Sequence, residues 1–407
     1  MLRLQAFRFE LLPNGQQRHA MCRFAGACRH VFNKALAIQQ ENHAAGKSYI
    51  GYVAMAKLLT AWRNGLETPW LREAPCHPLQ HALKHLDQAF KNFFAQRAAY
   101  PRFKRKGRGD AFRFPDAKQI KLDQGNSRIF LPKLGWLRYW NSRMVLGEVR
   151  NVTVRCVAGK WFISIQTQRD VESVPTAATS AVGIDVGVVR FATLSDGTPV
   201  EPTNCFKRHQ QRLARYQRQM SRKVKFSKNW RKAKARVQRL HVRIANMRRD
   251  FLHKASTTIS AGHAIVCIED LQIGNMVRSA RGTVQQVGKQ VAQKRGLNRS
   301  ILDQGWGEFR RQLAYKMTWG GGTLLAVPPH HTSQTCPCCG HVAAANRRTQ
   351  AAFECIACGY QNHADVVGAI NILERGLRLL ACGEPVHPGH SVKQEPADAI
   401  GQVCPAQ

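Results

Sequence analysis

Two short cysteine knuckles constrain this chain more than any other feature. Cys336-Pro-Cys-Cys339-Gly340 and Cys355-Ile-Ala-Cys358-Gly359 repeat a Cys-x-x-Cys-Gly pattern, with fifteen residues between Cys339 and Cys355. Four thiolates at this spacing match one tetrahedral zinc ion, and a closed set of four sulfurs leaves no position open for substrate. The expected Zn²⁺ is therefore structural. A redox dithiol is the alternative, but the pairing of the knuckles argues for metal. Cys338 is a fifth thiol; the Cys-Gly register makes Cys336 and Cys339 the ligands and Cys338 a bystander. Of the nine cysteines outside the two pairs, most (Cys22, Cys28, Cys156, Cys267) occupy apolar patterns and read as reduced core residues.

The ribbon is nested in a strongly basic chain of 407 residues, enough for two to four structural units. Lys plus Arg is 62 against 25 acidic residues, a formal charge of +37. Such a surplus repels itself and calls for a polyanionic partner, and nucleic acid supplies one because neutralising phosphates releases counterions. A membrane surface is the rival, but no run of eighteen apolar residues and no signal-peptide pattern is present. The expectation is a soluble, cytoplasmic protein with no membrane partner.

Periodicity divides the chain. Leu2, Leu4, Phe7, Phe9 and Leu11 begin a strand, and Arg18–Gln40 then turns helical, with Phe24, Cys28, Val31, Phe32, Ala35 and Leu36 on one face. Further helices are expected over roughly 52–63 and from Pro78, which suits a first turn. Short strand-like runs follow at Ala111–Phe114, Arg128–Leu131, Trp136–Trp140, Val149–Val157 and Trp161–Gln168, the last pair turning at Ala158-Gly159. A small β-barrel completed by the N-terminal strand and carrying a helical insertion accounts for them. From Ala181 long apolar strands and long helices give an α/β signature. Residues 206–254 hold eighteen Lys or Arg and one acid, Asp250, around a stripe of Trp230, Ala233, Val237, Leu240, Ile244, Met247 and Phe251. A merely solvated face usually mixes signs; this one points to phosphate contact. Gly274–Asn298 reads as a mobile loop, Ile301–Met317 as helix and Gly320–Val327 as a buried strand.

Three carboxylates carry the chemistry. In an expected strand over Val182–Thr193, Gly183, Asp185 and Gly187 share one face, so Asp185 stands between two residues without side chains, leaving room for a metal ion and a phosphate backbone. A turn at Asp-Val-Gly is the alternative. Glu269 ends the apolar run Ala264–Ile268, where open α/β sheets place their chemistry, while Asp270 faces the other way. Asp365 opens an amphipathic helix and could equally be its N-cap. Together Asp185, Glu269 and Asp365 could share two Mg²⁺ ions about 4 Å apart, clamping the attacking water and the leaving oxygen.

These residues, with Tyr100-Pro-Arg-Phe-Lys104, Gly183-Ile-Asp-Val-Gly187, Ile268-Glu-Asp-Leu271, Gly305-Trp-Gly-Glu-Phe309, Thr332-Ser-Gln-Thr-Cys336 and Asp365-Val-Val-Gly-Ala-Ile-Asn371, resemble TnpB, the OrfB-type protein of insertion sequences, related to type V CRISPR nucleases. The resemblance spans nearly the whole chain. It implies an α/β multidomain protein with an RNase H-like RuvC nuclease domain at 181–330 and 360–378, interrupted by the zinc ribbon at 331–359. The β-barrel would take 1–20 and 100–172, the helical recognition domain 21–99, a linker 173–180 and a disordered tail 379–407. It also implies Asp185, Glu269 and Asp365 as the metal-binding catalytic triad, a transposon-derived guide RNA, and cleavage of double-stranded target DNA beside a short transposon-adjacent motif, in the nucleoid. Members often carry Arg shortly before the last Asp and Asn two residues after it; here His363-Ala364 and Val367 stand there. Two rival functions are a nuclease-inactive RNA-guided regulator, which should lack a triad acid, and a transposase that joins DNA ends.

Overall fold

The computed structural model describes residues 1–172, 178–283 and 285–382. They fall into two compact units, one of Met1–Ser173 with His209–Ala245 and one of Val174–Arg208 with Asn246 onward.

The first unit opens with β1 (Leu2–Glu10), α1 (Gly15–Ala44), α2 (Tyr52–Asn64) and α3 (Cys76–Phe94). Asn14 starts α1 with a capping box: its side chain accepts from the Gln17 N–H while the Gln17 side chain accepts from the Asn14 N–H. Then come β2 (Ala111–Phe114), β3 (Lys121–Asp123), β4 (Arg128–Leu131), β5 (Gly135–Arg138), β6 (Glu148–Val157) and β7 (Lys160–Asp170). Ala158 and Gly159 both take left-handed angles (φ 50° and 84°), which suits the tight β6–β7 hairpin.

Among the described residues no pairing of β2 with β3 closes the expected small barrel. The strands form an antiparallel sheet of order β1-β7-β6-β2 and a separate meander β3-β4-β5, joined at a single bridge between Leu11 and Tyr139. The strand β2, only four residues long, leaves an edge that α1 and α3 cover. Phe24 of α1 meets Phe112 of β2 edge-on at 5.9 Å. Helices and strands therefore share one hydrophobic core, running from Phe7 and Phe9 through Val31, Leu36 and Leu83 to Ile163 and Ile165.

The second unit is built on β8 (Ala181–Val186), β9 (Ala192–Leu194) and β10 (Pro199–Val200); α4 (Cys205–Ser221) and α5 (Lys228–Gly262) follow in the chain, and their residues His209–Ala245 belong to the first unit. Next come β11 (Ile265–Glu269), α6 (Ile273–Met276), α7 (Val291–Gln304), α8 (Trp306–Trp319) and β12 (Thr323–Val327). Two ribbon strands, β13 (Ala352–Glu354) and β14 (Gln361–His363), lead into α9 (Ala364–Ala381). The main sheet runs β10-β9-β8-β11-β12, with β8, β11 and β12 parallel and β9 and β10 antiparallel.

Several expectations need correction. The strand expected over Val182–Thr193 ends at Val186; the chain turns through 187–191 and returns as β9 against β8. The loop expected over Gly274–Asn298 already contains α6 and, from Val291, α7, which is tied down where Lys294 and Asn298 donate to the carbonyls of Met276 and Val277. The helix expected over Ile301–Met317 is two helices broken at Gly305, whose φ of 78° few other residues adopt. The tail expected from 379 begins later, because α9 continues to Ala381; residues 383–407, like 173–177 of the expected linker, lie outside the described residues. The basic stretch 206–254 divides into α4 and α5, and in α5 Val237, Leu240 and Ile244 are buried while Lys228, Arg231, Lys232, Arg236, Arg239 and Arg243 stay exposed.

Candidate metal centres

The parallel pairing of β8 with β11 sets Ile184 beside Ile268. Asp185 and Glu269 follow each partner by one residue, so they occupy neighbouring positions at the same end of the sheet, where strands lie about 4.8 Å apart. The third acid comes from α9, which crosses this face of the sheet, and glycines decide how closely it lies. A Cβ on Gly183 would sit 2.0 Å from the Ala369 carbonyl oxygen, and one on Gly376 would sit 2.2 Å from Cys267 Sγ. A Cβ on Gly368 would come within 3.0 Å of Asp185 Oδ2. The space beside Asp185 that the alternation of Gly183 left open is thus occupied by α9, not kept for a metal ion or phosphate. Gly183 serves the site indirectly, by letting α9 bring its first turn to Asp185.

Asp365 is not the cap of α9. The cap is His363, whose Nδ1 accepts from the Asp365 N–H at 3.2 Å, which leaves the Asp365 carboxylate free to face the other acids. Burial, then repulsion from Glu269 and Asp365, pushes the Asp185 carboxyl up to about 8, against a weaker pull from Arg347. Burial raises Glu269 as well, opposed by the Thr332 hydroxyl and by Arg375. Asp270, expected on the opposite face, forms an ion pair with Arg310 of α8.

A supporting layer holds these acids, and no sequence signal had assigned it. Thr332 donates its hydroxyl to Glu269 Oε1 at 2.6 Å. Buried Asn371 on α9 donates to the carbonyls of Thr332 and Thr335 at 2.7 and 2.8 Å. One turn further, Arg375 donates to the carbonyls of Pro328 and His330. Residues four apart share a helix face, so Asn371 and Arg375 together clamp the segment that enters the ribbon. Thr332 and Asn371 lie within motifs already singled out, but neither residue type announces such a role. Another buried acid also escaped notice: Asp303, at the end of α7, accepts from the Phe206 and Lys207 N–H groups and from Arg248, which caps α4 from about a hundred residues away.

The four cysteines form a compact cluster. Cys336, Cys339, Cys355 and Cys358 place their sulfurs within 4.8 Å of one another, and two of the pairs are 3.6 Å apart. A tetrahedron with Zn–S bonds of about 2.3 Å has edges of about 3.8 Å, so the sulfurs fit zinc closely. The knuckles are geometric copies: Gly340 donates to the Cys336 carbonyl and Gly359 to that of Cys355, both at 2.9 Å, with φ of 74° and 72°. Among the described residues this is the only group of three or more His, Cys, Asp or Glu with ligand atoms that close together, so the carboxylates stand wider apart. Phe353, Cys336 and Cys355 pack on Ala364 and Val367, which fastens the ribbon to the first turn of α9. From the ribbon Arg347 reaches to 3.8 Å from Asp365 Oδ1.

Fold and site together define an α/β domain with an inserted four-cysteine ribbon. The structure of a Cas12f1–sgRNA–target DNA complex aligns over 88% of this chain and 83% of that one, with a TM-score of 0.53 at 13% identity, a likeness of fold alone. Family profiles described as "Probable transposase" and "Cas12f1-like, TNB domain" match residues 163–280 and 306–372. A third, "Helix-turn-helix domain", matches residues 1–48, which here form a strand and one long helix. "Putative RNA-guided DNA endonuclease InsQ" of Escherichia coli (strain K12) is 59% identical over 400 residues, 98% of this chain and 99% of that protein. A "Putative RNA-guided DNA endonuclease" of Streptomyces pristinaespiralis is 35% identical over 415 residues, 98% of each chain. The chain belongs to the TnpB family, the OrfB-type proteins of insertion sequences, related to Cas12f.

Among the described residues no helix is long and apolar enough to cross a membrane.

Proposed function

We propose that this protein is an RNA-guided, divalent-metal-dependent DNA endonuclease. The observation that carries the proposal is the approach of Asp185, Glu269 and Asp365, from three remote parts of the chain, so that burial, with repulsion from the other two acids added, raises the Asp185 carboxyl to about 8. Buried like charges resist ionisation, and a hard cation relieves that cost while accepting oxygen ligands of this type. The residues present therefore fit magnesium, with Asp185, Glu269 and Asp365 as ligands for two ions. Bound there, the ions would supply charge neutralisation and a water activated for attack on phosphorus. Thr332 fixes the Glu269 carboxylate, and Arg347 offers a positive charge beside Asp365 for the scissile phosphate.

The main sheet, with three antiparallel strands followed by two parallel ones, supports an RNase H-like RuvC assignment for this domain. The cysteine cluster would hold one structural zinc, keeping α9 and its acid in place. That RNA guides and DNA is the target follows the names of the relatives; in our reading a transposon-derived RNA would select double-stranded DNA by pairing, while the protein reads a short adjacent motif and heteroduplex shape. The exposed basic face of α5 would grip phosphates in that assembly. A nuclease-inactive regulator would lack one of the three acids, and all three are present.

The test is cleavage by purified protein carrying its co-purified RNA. Matched DNA beside the motif should be cut and unmatched DNA spared; equal cutting of both rejects the guided reading, and joined ends in place of hydrolysed ones would favour a transposase.

A further inference from the structure

Within the unit built on β1 to β7, a cavity of about 450 Å³ gathers basic side chains without an acid. Lys104, Arg113 and Arg155 line it with His81 and His85, and no carboxylate is among its walls. The nearest candidate by sequence, Asp110, turns away to Arg29 at 2.7 Å and to the Gly107 N–H at 2.9 Å.

The cations are held in place. Asn33 donates to the Lys104 carbonyl and accepts from its N–H, at 3.0 and 2.8 Å, while the Lys104 ammonium sits 3.9 Å over the Phe32 ring. His81 and His85 stack one turn apart on α3, with ring centroids 4.9 Å apart. Arg113 stands on β2 beside Thr153 of β6, and its Nε is buried without a hydrogen-bond partner among the described residues. An orphaned buried donor is costly, and one beside two further cations costs more, so the arrangement awaits an anionic acceptor.

We propose that this cavity binds phosphate, and that its ligand is a backbone phosphate of nucleic acid. The two non-bridging oxygens of a phosphodiester share its negative charge and accept from guanidinium forks and an ammonium. The state of the histidines agrees. Burial, then His85, Arg113, Lys84 and Lys104, pushes His81 down to about 4, and burial with Lys104 and Arg113 lowers His85. The Cys28 thiol on α1, pushed up to about 12 by burial, stays neutral and adds no charge. A bound phosphate anion opposes the effect of the cations on both rings. That the phosphate belongs to nucleic acid rests on the proposed function; that the cavity takes phosphate does not.

The test uses the full chain and the substitution Arg155→Gln at the exposed rim, with Lys84→Gln as a control just outside. Calorimetry with inorganic phosphate should show binding that Arg155→Gln weakens by about tenfold and Lys84→Gln leaves alone. Salt titrations then identify the polymer: the slope of log affinity against log salt should fall by about one for guide RNA, or for duplex DNA on the RNA-loaded protein. Equal phosphate binding by Arg155→Gln and the parent overturns the site. Unchanged slopes for both polymers overturn its nucleic-acid ligand, whereas loss of guided cutting is read separately and bears only on the function above.

Discussion

The cysteine cluster and the carboxylate trio are both metal-site candidates in one unit, and they are built in opposite ways. Each knuckle shapes itself through a glycine turn, and the four sulfurs come within 4.8 Å of one another. The acids sit on three elements and stand wider apart, and burial together with their mutual repulsion raises Asp185 to about 8. A structural ion rewards a tight preformed cage. A catalytic site instead keeps charge under tension and leaves room for substrate.

The comparison can be broken at its strongest point first. Structural zinc contributes about 10 kcal/mol or more to folding in small ribbons. Cys355→Ser should therefore bring bound zinc from one per chain to near zero and open residues 331–363 to proteolysis. Because the ribbon packs on the first turn of α9, cleavage should be lost too. Full cleavage by zinc-free protein would show the two centres to be independent.

Asp185→Asn tests the tension directly. Cleavage should fall by about 10³-fold or more with RNA binding intact, since a proposed ligand of the metal ions is gone. At neutral pH the metal-free variant should also melt higher than the parent, by roughly 1–2 kcal/mol of stability, because folding no longer has to protonate a carboxyl that is ionised in the unfolded chain. An unchanged melting temperature would mean the acids do not strain one another.

Gly183→Ala asks whether α9 must lie so close. The added Cβ meets backbone at 2.0 Å, so overpacking should cost about 3 kcal/mol and lower the melting temperature clearly. A melting curve like the parent's would remove the close-packing argument. Thr332→Val should have the smallest effect, about a tenfold loss in cutting rate with stability nearly unchanged, as expected for a group that orients a ligand. Thr332→Ser keeps the hydroxyl and should restore the rate; failure to do so would place the effect in packing.

Legibility followed the range of the interactions. The knuckles, the stripe of α5 and the termination of β11 at Glu269 are local patterns, visible as spacing or periodicity. The end of β8 was misjudged because apolar residues flank Asp185-Val186-Gly187 on both sides, and nothing local marks the reversal to β9. Whether the small barrel closes between β2 and β3 is not legible, because the alternation of buried residues is the same in an open sheet as in a closed one. Helix α7 hid in a polar stretch because its anchors, Lys294 and Asn298, bind carbonyls far outside their own turn.

By itself the sequence determined the spacing of the four cysteines and the excess of positive charge, since each depends on residue type or short spacing, and it offered the three acids as candidates. Only the tertiary structure decided that α9 lies against β8 and β11, that His363 and not Asp365 caps it, and that Thr332 and Asn371 stand behind Glu269. The physical reason is close packing: whether two groups meet depends on the missing side chains of Gly183, Gly368 and Gly376, and a glycine records the permission to approach but not the partner.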